Sequence, residues 1–83
     1  MKVTLRYFAS VRETMGTGSE SVDTQATTVG ALRDELIARG GVHVEALARG
    51  KAVRLALNQT MTDESAALND GAEVGFFPPV TGG

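Results

Sequence analysis

Only one stretch of this sequence has the length and period of a substantial helix, and it lies between short segments of period two. Over residues 29–39, Val29, Leu32, Leu36 and Ile37 recur at helical spacing and form an apolar stripe. Thr28 stands before them as an N-cap, its hydroxyl placed to accept a free N–H of the first turn. Glu35 and Arg39 are at i, i+4 in the favourable order. Gly30 weakens the first turn, and Gly40-Gly41 supplies a left-handed C-terminal residue.

The flanking segments read as strands. Val3, Leu5 and Tyr7 alternate with Lys2, Thr4, Arg6 and Phe8, so a strand over residues 2–8 shows these sets on opposite faces. Residues 10–15 fit one helical turn, closed by Gly16-Thr17-Gly18, and residues 20–24 a second strand that pairs with the first as a hairpin. Beyond the long helix, residues 44–48 fit a short helical turn. Val53, Leu55 and Leu57 alternate with Arg54 and Ala56 and predict a third strand, ended by Asn58-Gln59. Asn69-Asp70-Gly71 is a turn signal. Residues 73–77 form the last strand, with Val74 and Phe76 facing one way and Glu73, Gly75 and Phe77 the other. The order strand, strand, helix, strand, strand predicts an α+β fold, a mixed sheet packed against one main helix. A crossover after the helix suits a β-grasp topology.

Composition narrows the function. With 83 residues the chain makes one domain with a small core. The formal charge is -2, which argues against a nucleic-acid partner. There is no cysteine, so disulfides, cysteine zinc sites and a cysteine nucleophile are excluded, and a cytoplasmic setting is favoured. Lys2 and Arg6 interrupt the apolar N-terminus, so it lacks the core of a signal peptide, and no apolar run is long enough to span a membrane. The single histidine, His43, has no companion ligand for a metal. Gly16-Thr17-Gly18 lacks the third glycine and the βα setting of a nucleotide loop. Arg49, Lys51 and Arg54 are close in sequence and suit either an acidic partner or a solvated face. The expectation is a function carried by a partner or by the chain terminus.

The end of the chain carries the strongest signal. The only two prolines, Pro78 and Pro79, are adjacent and follow the last strand. Neither has an N–H, so ladder bonding stops, and each holds its predecessor extended. The result is a domain over residues 1–77 and an extended tail over residues 78–83 that reaches roughly 20 Å at about 3.3 Å per residue. The tail ends in Gly82-Gly83, which can thread a narrow channel because neither residue has a side chain. A terminal carboxyl, with a reference pKa of about 3.3–3.7, is ionised at neutral pH and can attack a phosphoryl group to give an acyl adenylate. A frayed end is the plain alternative.

The segments Asn58-Gln59-Thr60, Asn69-Asp70-Gly71 and Glu73-Val74-Gly75-Phe76-Phe77-Pro78-Pro79-Val80-Thr81-Gly82-Gly83 resemble the small subunits of molybdopterin synthase, ubiquitin-like sulfur carriers of the MoaD/ThiS family. Residues 3–13 and Thr28-Val29 resemble the family too. Ala72 departs from an often acidic position, Gly75 from a frequent Ala, and residues 62–67 are dissimilar.

The resemblance implies a cycle. An E1-like adenylating enzyme spends ATP on Gly83, and a sulfur-transfer protein converts the adenylate to a thiocarboxylate. The large synthase subunit then receives the tail, with Pro78, Pro79, Val80, Thr81 and Gly82 inserted and Gly83 as the sulfur-bearing terminus. Sulfur passes to cyclic pyranopterin monophosphate to build the molybdopterin dithiolene, which consumes two loaded carriers. The family precedent is a complex with two copies of each subunit. It also implies no resident cofactor or metal, and catalytic side chains on the large subunit rather than on this one.

Docking needs an apolar surface. If the first and last strands are neighbours, Phe8 and Phe77 share the sheet face opposite the helix. Met61 falls where the family has an apolar contact residue. Aromatic and Met side chains are enriched at interface cores, although each of these three also suits an ordinary core or loop position. A carrier for thiamine or another pathway, a protein modifier that forms isopeptide bonds through Gly83, and an interaction domain with an inert tail remain as alternatives.

Overall fold

The alternation at the N-terminus becomes β1 (Lys2–Tyr7), with Val3, Leu5 and Tyr7 buried and Lys2, Thr4 and Arg6 exposed. In the computed structural model, which describes residues 1–79, Ala9 at φ 50° turns the chain abruptly from β1 into α1 (Ala9–Met15). Val80, Thr81, Gly82 and Gly83, and with them the expected reach of the tail, lie outside the described residues. β2 (Ser19–Asp23) returns antiparallel to β1, with Val3 opposite Val22. α2 (Val29–Ile37) starts at Thr28, whose Oγ1 accepts the Ala31 N–H at 3.1 Å, the cap expected from the sequence. α3 (Val42–Leu47), β3 (Arg54–Leu57), β4 (Thr60–Thr62) and β5 (Glu73–Phe77) follow.

The strand order is β2-β1-β5-β3-β4. β1 and β5 pair in parallel at the centre, and the other neighbours are antiparallel. Two N-terminal strands, a helical crossover and a last strand returned between the first and third make a β-grasp fold. Val29, Leu32 and Leu36 from α2 pack on Leu5, Val74, Phe76 and Leu55 of the sheet, all in one buried cluster. Each such side chain contributes roughly 1.5–3 kcal/mol relative to exposure. No helix among the described residues is long and apolar enough to cross a membrane.

Two local expectations are corrected. α2 ends at Ile37, and Glu35 and Arg39 do not pair. Glu35 accepts the Thr24 hydroxyl at 2.8 Å, while Arg39 meets Glu20 at 3.4 Å, because longer-range partners satisfy both groups. The sheet also has a strand that the alternation did not predict. Asn58 and Gln59 both take left-handed φ, 50° and 70°, and form a two-residue hairpin turn. This turn folds β4 back on β3, with Leu57 opposite Thr60 and Leu55 opposite Thr62.

Polar ties hold the loops to α2. Gly30 donates its N–H to the Glu64 carbonyl at 2.9 Å, and a Cβ at Gly30 would stand 2.8 Å from the Glu64 Cβ, so only glycine permits this approach. Arg33 is 4% exposed. Its Nε donates to the Leu47 carbonyl at 2.8 Å, and its Nη2 to those of Ala48 and Lys51 at 3.0 and 3.1 Å. Its Nη1 reaches Glu64 at 3.3 Å. Arg49 binds Asp34 at 2.8 Å and also Glu64, so it is held within the domain. The Arg49 guanidinium keeps the Glu64 carboxyl below the usual carboxylate range.

Arg33→Leu would leave three carbonyls without their donor, and we expect it to lower unfolding free energy by about 3 kcal/mol in urea titrations. A loss under about 1 kcal/mol would show that the ties are dispensable. A depressed carboxyl contributes stability that is complete above its unfolded pKa, about 4.3, and is lost as pH falls through its lower folded value. Melting scans across this acidic range should therefore fall more steeply for the wild type than for Glu64→Gln, and parallel curves would contradict the assignment.

Candidate functional site

The central parallel pair sets the site. β1 and β5 align with Leu5 opposite Val74, Arg6 opposite Gly75 and Tyr7 opposite Phe76. The Phe8 N–H extends the ladder to the Phe76 carbonyl at 3.1 Å. Side chains alternate across a strand, so Tyr7 and Phe76 enter the core together, with ring centroids 5.8 Å apart. Phe8 and Phe77 must then emerge together on the open face. Their rings stack 4.4 Å apart and 4° from parallel, and both are half-buried.

Gly75 lies beneath this stack. A Cβ there would meet the Phe77 ring at 3.1 Å and the Phe8 ring at 3.3 Å. Alanine would press on both rings, so glycine lets the pair lie flat on the sheet. Across the sheet, Gly75 is opposite Ala56 and Ala56 is opposite Met61. Met61 is 54% exposed. It shares the open face with the phenylalanines but stands two strands away from Phe77, in β4 rather than in a loop. Phe8 and Phe77 thus share the face that strand alternation expects of them. The fold joins Phe8 to Phe77 and leaves Met61 as a separate exposed side chain.

Charge borders the aromatic pair. The Arg6 guanidinium stands 6.0 Å from the Phe8 ring centroid, and its Nη1 is 3.9 Å from Glu73. Arg54 is opposite Phe77 across β3 and β5. Sequence reasoning did not single out these arginines as neighbours of the stack. Alternation already put Arg6 on the face of Phe8, but which residue of β3 faces Phe77 depends on register.

β5 ends at Phe77, after which Pro78 is half-buried and Pro79 exposed. Both prolines line a groove between Ser10, Val11 and Thr14 of α1 and Lys51 to Val53 before β3. Val80, Thr81, Gly82 and Gly83, the remaining expected tail residues, lie outside the described residues. The described face offers stacking surface, apolar area and guanidinium groups, which suit binding a protein partner.

The other titratable cluster belongs to the core side. Tyr7 donates its hydroxyl to Glu20 at 2.9 Å, and burial together with that carboxylate holds the phenol far above its usual pKa. His43 sits in the first turn of α3 with Nε2 3.4 Å from Glu20.

The model of the ThiS family matches residues 5–83. The molybdopterin synthase sulfur carrier subunit of Escherichia coli (strain K12) is 46% identical over 77 residues, covering 93% of this chain and 94% of that protein. The subunit of the same name from Mycobacterium tuberculosis is 38% identical over 85 residues, covering 100% and 99%. Among solved structures, the complex of subunits 1 and 2 of the molybdopterin-converting factor from Helicobacter pylori contains a chain similar at 26% identity and a TM-score of 0.69, with 100% of both chains covered. A match over nearly the whole length, together with relatives this similar, shows that the chain belongs to the ThiS family.

Proposed function

We propose that this chain is the sulfur-carrying small subunit of a cytoplasmic molybdopterin synthase. The observation that carries the reading is the junction at Phe77. An aromatic pair is displayed on the open face at the strand end that leads directly into Pro78, Pro79 and the Gly-Gly segment. The names of the relatives support it. In this reading Phe8, Phe77 and Met61 dock on the large subunit while Pro78 to Gly82 deliver Gly83 into that subunit's active site.

The chemistry is that of an acyl carrier. The Gly83 carboxylate attacks the α-phosphorus of ATP on an E1-like enzyme, releasing pyrophosphate and leaving an acyl adenylate. The terminal sulfur of a persulfide on a sulfur-transfer protein displaces AMP to give an acyl disulfide, and attack of a thiol on the inner sulfur breaks the S–S bond, forming a new disulfide and leaving a thiocarboxylate. The anionic sulfur is soft and nucleophilic, which suits attack on the pterin precursor. Hydrolysis of the acyl carbon then frees the carrier for reloading. Proton transfers at the pterin fall to side chains of the large subunit, and ATP is a substrate of the activating enzyme rather than a cofactor of this chain.

Deleting Gly82 and Gly83 should abolish molybdopterin formation in a reconstituted synthase while leaving the melting temperature unchanged, because neither residue has a side chain to pack. Retained product formation would refute the carrier role. Phe77→Asp should weaken binding to the large subunit by about 100-fold or more, since it puts a charge at the centre of an apolar contact. An unchanged affinity in a titration would remove the open face from the interface.

A further inference from the structure

We infer that the large-subunit surface receiving this open face presents carboxylates around an apolar centre, and that Arg6 and Arg54 are the groups that meet them. The inference rests on the docking reading above and adds the chemistry of the partner. The chain as a whole has a formal charge of -2, so its overall field favours a basic partner. The end of the sheet that leads to the tail has the opposite character. The Phe8–Phe77 stack is flanked by Arg6 on one side and by Arg54 on the other. Lys51, also exposed, lines the groove next to Pro78 and Pro79.

These arginines differ from Arg33, Arg39 and Arg49 in how they are used. Arg33 is spent on three carbonyls and Glu64, Arg49 on Asp34 and Glu64, and Arg39 on Glu20. Arg54 is exposed and makes no ion pair with another described residue. Arg6 has one carboxylate, Glu73, at a loose 3.9 Å, and its side chain is 47% exposed. An arginine with a loose partner or none keeps its planar fork available for a bidentate carboxylate. Two such forks on either side of a stacked pair match a surface with acidic groups around a pocket for the rings. A basic rim opposite them would be repelled. Rim charges act mainly on encounter, so the signature is kinetic.

The test is stopped-flow association of the full chain with its large subunit across a range of salt concentrations. It compares the wild type with Arg6→Glu/Arg54→Glu, Arg6→Gln/Arg54→Gln and Phe77→Asp, and melting curves verify that each variant is folded. For the wild type, the association rate constant should fall as salt rises. The double reversal should lower it at least about tenfold at low salt and flatten or invert the salt slope, with the glutamine pair in between. The dissociation rate constant should change much less. Equal rates and slopes for the wild type and the reversal, with Phe77→Asp still impaired, would overturn the acidic surface and leave the docking reading standing. Faster association of the reversal would show a basic partner surface and overturn it as well. Absence of wild-type binding, or wild-type behaviour of Phe77→Asp, would overturn the docking reading and this inference with it.

Discussion

The parallel pairing of β1 with β5 is the constraint on which the rest of this molecule depends. It brings together the two ends of the sequence, Leu5 beside Val74 and Tyr7 beside Phe76, at the middle of the sheet. Parallel neighbours need a crossover, and α2 supplies it while covering one face. Because side chains alternate, this register puts Phe76 inside and Phe77 outside. A slip of one residue would exchange them, burying the Phe8–Phe77 face and exposing the core. The stability of the fold and the exposure of the aromatic pair are therefore set by the same ladder.

The helix side fixes the remaining strands by polar means. Arg33 holds the segment between α3 and β3 through three carbonyls, and it meets the loop after β4 through Glu64. Gly30 lets that loop approach the helix backbone. These ties anchor the open end of the β3–β4 hairpin, before β3 and after β4, and β3 carries Arg54 to its place opposite Phe77. A buried guanidinium satisfied by carbonyls is costly to disturb, so this side of the domain acts as a rigid support for the open face.

Much of this was legible in the residues. Period two in residues 3–7, the stripe on α2 with its Thr28 cap, and the opposed faces of Val74 and Phe77 are local signals, and the structure follows them. β4 escaped because it has three residues, Thr60 to Thr62, too few to show a period, and its turn uses Asn-Gln rather than the usual Asn-Gly. The Glu35–Arg39 pair failed because a helix surface position cannot reveal that Thr24 and Glu20 approach from elsewhere. The role of Arg33 is not legible in the sequence, since most of its partners are backbone carbonyls, which a sequence pattern does not display. Phe8 and Phe77 were found because strand alternation exposes them. Their stacking over Gly75, and the flanking arginines, depend on inter-strand register, which lies beyond any single segment.

The central claim is that the open face serves a terminus that carries sulfur. Intact-mass spectrometry after incubation with ATP, a sulfur source and the native activating enzyme tests it most directly. The account predicts a gain equal to replacement of one oxygen by sulfur, localised to Gly83 and discharged on addition of the large subunit and the pterin precursor. An unchanged mass, with the same enzyme shown to load another carrier, would contradict it.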